Sequence, residues 1–176
     1  MRPNEPLTTP QSNQQETDEP SETLIEYTDP AGFSFSYPDN LSLINYEIED
    51  LNTYADIKLF ANGINGSLSL KISDSKSTSL DDWFKLNKNA IIEPEKEVKL
   101  GNLKALELKL SDRLLLGALD QGVLFTIEMP RVEEDFWIKV YSKILETFTF
   151  VQPQQDTGQQ SSSSEEIIFE GEEVLE

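Results

Sequence analysis

Ser73-Asp74-Ser75-Lys76 has the S-x-x-K spacing of serine acyl-enzymes, in which the lysine amine takes the serine proton. The companion S-D-N and K-T-G motifs are missing from the chain, so the segment reads as a polar turn after a strand. Paired carboxylates suit general acid and base roles, and Asp81-Asp82 and Glu133-Glu134-Asp135 are the candidate pairs. Both groups fall at expected helix N-termini, where acids complement the helix dipole without any catalytic task. Glu93-Pro94-Glu95-Lys96-Glu97 offers oxygen ligands for a hard cation but lacks the glycine-centred loop of an EF-hand. A solvated loop is the simpler reading.

Two absences narrow the chemistry further. The sequence contains neither histidine nor cysteine. That removes Ser-His-Asp and Cys-His relays, imidazole or thiolate metal sites and disulfides. The expectation is a chain with no catalytic residues, no metal site and no cofactor. Trp83 and Trp137 are candidates for a ligand-stacking platform, but both lie beside apolar helical stripes and are expected in the core. Asn40-Leu41-Ser42 and Asn65-Gly66-Ser67 fit the glycosylation triplet, which carries meaning only in a secretory eukaryotic host.

The formal net charge is −19, from 33 acidic and 14 basic residues. Such a chain repels nucleic-acid phosphates and anionic headgroups. No run of about 18 apolar residues is present to insert into a bilayer. Residues 1–22 hold four prolines among Gln, Thr, Ser, Asn and Glu, and read as a disordered linker. Residues 152–176 begin as a Gln/Ser-rich low-complexity tail and end in Glu-Glu-Ile-Ile-Phe-Glu-Gly-Glu-Glu-Val-Leu-Glu. A single domain over residues 23–151 is expected between them.

The period inside that domain is mostly two. Phe33, Phe35 and Tyr37 alternate with Ser34 and Ser36, the pattern of a half-buried strand with its serines on the polar side. Asp29-Pro30-Ala31-Gly32 turns into that strand from residues 23–28, and Pro38-Asp39-Asn40 ends it. Further hairpins are expected about Asn62-Gly63-Ile64-Asn65-Gly66, Gly101-Asn102 and Asp120-Gln121-Gly122. Ser79 caps a short helix showing Leu80, Trp83 and Phe84. A longer helix follows Glu133, with Phe136, Val140 and Ile144 on one face. Thr147 to Val151 alternates again as a closing strand. The expected class is α+β, a central antiparallel sheet flanked by helices as an α/β/α sandwich.

The order of these parts resembles the PsbP-like superfamily. The resemblance rests on Tyr27-Thr28-Asp29 and Gly32-Phe33-Ser34-Phe35-Ser36-Tyr37-Pro38, on Leu80 to Asn89 with Trp83, on Asp135 to Glu146, and on Thr147-Phe148-Thr149-Phe150. It implies an accessory or partner-binding role without catalysis. The superfamily includes a photosystem II subunit, a Ran-binding import factor and bacterial lipoproteins. Histidine-based metal sites of the photosystem branch have no counterpart here, and no stretch matches a Ran-binding surface. The bacterial accessory branch implies an extracytoplasmic module tethered through a signal or anchor upstream of the residues present, for which residues 1–22 suit a linker.

The resulting expectation is a monomeric, non-enzymatic module with a protein partner. The acidic tail supplies the candidate partner-binding residues Ile167, Ile168, Phe169, Val174 and Leu175, apolar side chains on a segment that can add a strand or helix to another protein. The competing expectations are a small carboxylate-based hydrolase or carbohydrate-binding protein, and a cytosolic adaptor of the import-factor kind.

Overall fold

The structure, a computed structural model, describes residues 19–151. Strand β1 (Leu24–Asp29) runs into β2 (Phe33–Pro38) through the expected turn, with Tyr27 opposite Phe35. Asp29 builds that turn: its carbonyl accepts from Gly32 N–H at 3.0 Å and its carboxylate from Ala31 N–H at 2.8 Å. Three more hairpins form where the turn residues predict them. They join β4 (Thr53–Ala61) to β5 (Leu68–Asp74), β6 (Lys96–Leu100) to β7 (Leu103–Lys109), and β8 (Arg113–Asp120) to β9 (Val123–Pro130). Gln121 and Gly122 both have positive φ, 47° and 84°, the backbone that a two-residue loop needs to match strand twist.

The strands assemble as two antiparallel sheets, where the sequence reading expected one. A seven-stranded sheet has the order β3-β4-β5-β9-β8-β7-β6, and a three-stranded sheet has β1-β2-β10. Strand β3 (Leu41–Asn45) is an addition to the sequence reading, and β10 (Thr149–Phe150) is the closing strand. The division has a local cause. After Pro38 the chain turns through Asp39-Asn40, and Leu41 onward pairs with β4 instead of returning along β2. The free edge of β2 is taken by β10, with Thr149 opposite Ser34. Ser34 is therefore buried, not on a solvated side: its Oγ and Thr149 Oγ1 are 2.9 Å apart, and the backbone N–H of Ser36 donates to Thr147 Oγ1.

The helices α1 (Leu80–Asn87) and α2 (Glu134–Thr147) lie on opposite faces of the large sheet. On one face Ile57, Leu59, Leu70, Ile72, Leu116 and Ile127 meet Phe136, Trp137, Val140, Tyr141 and Ile144 of α2, beside Phe33, Phe35 and Phe148. That layer is shared between helix and small sheet. Phe33 and Phe148 stack at 5.5 Å, continuing through Phe150 to Phe125. On the other face Trp83 of α1 covers Leu108, Leu110 and Leu115. Burying each such side chain contributes about 1.5–3 kcal/mol, which is why both tryptophans are spent inside.

Candidate interaction site at the open end of the sheet

The candidate catalytic residues are dispersed. Ser73 sits in β5 opposite Leu124, while Lys76 is exposed beyond the strand end, and no hydrogen bond joins them among the described residues. Asp82 accepts from Thr78 Oγ1 at 2.7 Å and Lys85 Nζ at 3.1 Å, and its backbone N–H donates to the Ser79 cap. Those bonds, with Thr78 foremost, hold its carboxyl down at about 2. A general acid needs the opposite shift. Glu133 occupies the cap of α2 with a left-handed backbone, φ 50°, and Glu134 pairs with Arg131 at 3.4 Å. Glu93 and Glu97 pair with Lys109 and Lys104, each at 2.8 Å, and no cluster of three potential metal ligands exists among the described residues.

Both tryptophans belong to the core. Trp137 is wholly buried and donates from Nε1 to Asn65 O at 2.9 Å; Trp83 lies against Gly117. Asn40 of the first glycosylation triplet accepts from Ser21 N–H and donates to Glu19 O, so residues 19–22, assigned by composition to the linker, rest against the domain. Ile167, Ile168, Phe169, Val174 and Leu175 lie outside the described residues.

Three tyrosines donate to carboxylates. Tyr27 reaches Asp29 at 2.6 Å with Asn45 bonded to both, and burial pushes its phenol far up. Tyr141 reaches Glu107 at 2.8 Å; burial first, then the Glu107 charge, raises it still more strongly. Tyr27 and Tyr141 tie strands and helix together. Tyr54 differs because it is exposed. A register irregularity between Thr53 and Ala55 leaves Tyr54 as the extra residue of β4, and its hydroxyl donates to Asp74 at 2.6 Å. The bond to Asp74 is the main cause of its raised pKa. Such a bulge re-aims a side chain at a sheet rim.

Tyr54 borders a shallow groove of about 360 Å³, where the β1–β2 turn overhangs the end of the large sheet. Its floor is Ala31, Ile72, Val123 and Phe125, and its rim is Tyr54, Asp120 and Gln121. Val123 pairs with Asp74 on one side and Asp120 on the other, so two carboxylates stand in one row across three strands. Sequence reasoning missed this site because β5 and β9 pair across 48 or more intervening positions. The second exposed feature is the half of the outer sheet face that α1 leaves free. There Ile44, Tyr46 and Phe60 are exposed, with Lys58 Nζ 5.5 Å from the centroid of the Tyr46 ring.

No family model matches the chain, and no curated protein matches it. The structure is similar to the solution structure of cyanobacterial PsbP (CyanoP) from Synechocystis sp. PCC 6803, at 16% identity and a TM-score of 0.49, over 73% of this chain and 92% of that one.

Proposed function

We propose that this chain is a non-catalytic accessory module that recognises a protein partner. The observation that carries the reading is the uncovered half of the outer sheet face. α1 packs on β7, β8 and Leu124 of β9, and leaves Ile44, Tyr46 and Phe60 exposed on β3, β4 and the residue following β3. Large apolar side chains gathered on a soluble surface mark interaction sites more often than isolated ones do. The reading also suits the acids singled out for chemistry: Asp82, Glu93, Glu97 and Glu134 are held in ion pairs with lysine or arginine.

In this proposal the module works outside the cytoplasm, tethered through residues 1–22, and the domain spans residues 23–151. The tail from 152 to 176 extends its reach, with Ile167, Ile168, Phe169, Val174 and Leu175 as a second contact. The test is cross-linked capture from source cells with the full chain, with Ile44→Asp/Phe60→Asp, and with a chain ending at Val151. Loss of one and the same partner by the double variant supports the reading, and its further loss by the shortened chain supports the tail contact. Equal capture by all three overturns both.

A further inference from the structure

We propose that the groove between the β1–β2 turn and the end of the large sheet receives a lysine or arginine side chain from the partner. The inference rests on the partner-binding reading and gives that partner a chemistry. The apolar stem of such a side chain suits the floor of Ile72, Val123 and Phe125, and its cationic head suits the rim. Asp74 and Asp120 are both cross-strand partners of Val123, and paired residues of neighbouring strands face the same side of a sheet. Their Cα atoms are then about 10 Å apart, two strand spacings, so a cation standing over Val123 meets Asp120 in the groove lining and has Asp74, bonded to the Tyr54 hydroxyl, one strand away on the other side.

Two further features shape the site for this occupant. The bulge at Tyr54 brings a phenol to the rim, where its hydroxyl orients the Asp74 carboxylate and its ring offers a face to a cation. The surroundings are acidic as well: Glu47, Glu49 and Asp50 are exposed on the segment leading into β4, and the whole chain carries −19. That field draws basic segments in and repels a second copy of this chain. It also argues against the chain's own tail. Val151, the last described residue, bonds to Gly32 O at 2.9 Å next to Ala31, but residues 165–176 contain six glutamates and no basic residue.

The test is a titration of the full chain, followed by amide chemical shifts, with acetyl-Ala-Leu-Lys-Leu-Ala-amide and the same peptide carrying Nε-acetyl-lysine. The expected result is a set of shifts centred on Ala31, Tyr54, Ile72, Asp120, Val123 and Phe125, given by the lysine peptide alone. Asp74→Asn/Asp120→Asn, two exposed positions, is expected to weaken binding about fivefold or more, and added salt to weaken it further. Equal binding of both peptides, no weakening in the variant, or shifts elsewhere overturns the inference. Failure is separable from failure of the partner reading. Capture that survives Asp74→Asn/Asp120→Asn but not Ile44→Asp/Phe60→Asp refutes the groove alone, and lysine-selective binding in the groove without any captured partner refutes the module reading alone.

Discussion

Gly117 of β8 lies directly beneath the ring of Trp83, so that a Cβ placed there would stand 2.5 Å from Cη2 and Cζ2. The strand carries no side chain at this position because the indole occupies its place. This is how an eight-residue helix covers its half of the outer sheet face with a single buried tryptophan.

Gly117→Ala is therefore expected to lower unfolding free energy by about 1–3 kcal/mol, the cost of forcing extra volume into a filled site. Trp83→Leu in the same chain is expected to recover part of the Gly117→Ala loss, because the smaller side chain makes room for the methyl. Urea unfolding of the two single variants and the double measures the coupling. Strict additivity would show that the two residues do not touch.

Tyr141 is held neutral by burial and by the Glu107 carboxylate that its hydroxyl bonds. Its pKa is higher folded than unfolded. The stabilisation is complete below the unfolded value of about 10 and is lost as pH rises beyond it, at up to about 1.4 kcal/mol per pH unit for one proton. Tyr141→Phe removes that slope while leaving Glu107 without its donor. Denaturant melts between pH 9 and 11 on both proteins check this, and parallel curves would contradict it.

Asp82 shifts in the opposite direction, to about 2 from its ordinary 3.8. Its contribution is present above the unfolded pKa and is lost as pH falls toward the folded one. Asp82→Asn is expected to lower the melting temperature at pH 6 and to flatten its fall between about pH 4 and 2. Thr78→Val, which removes the strongest of the bonds to that carboxylate, is expected to do the same in smaller measure. Thermal melts across that range decide it.

Thr147 ends α2 and begins the approach to β10: its hydroxyl donates to Lys143 O at 2.7 Å and accepts from the N–H of Ser36 at 2.9 Å. Thr147→Val keeps the shape and removes both bonds, which leaves a half-buried backbone donor without a partner. The expected cost is about 1–3 kcal/mol, with faster amide exchange at Ser34 and Ser36 than elsewhere in the core. Unchanged exchange in β2 would refute the link between helix end and small sheet.

Much of the local structure was written in short stretches of sequence. The alternation of Phe33, Phe35 and Tyr37 set which side of β2 meets the core, because successive side chains of a strand point to opposite faces. Asn62-Gly63, Gly101-Asn102 and Gln121-Gly122 set where hairpins close, since positive φ suits few residues. Ser79 and Glu133 marked the two helix starts, although Glu133 caps through a left-handed backbone instead of a side chain. The absence of histidine and cysteine closed off whole reaction classes before any coordinate was needed.

Only the tertiary structure decided which strands meet. Leu41–Asn45 was unseen as a strand because its five residues follow a turn and take their partner from β4, across a loop. The two sheets, the burial of Ser34 and the row Asp74-Val123-Asp120 all depend on pairings between distant segments. Local periodicity says which face of a strand is apolar, but not which neighbour completes its hydrogen bonds. That choice is made by how all the faces bury together, and it is what placed two carboxylates beside one valine.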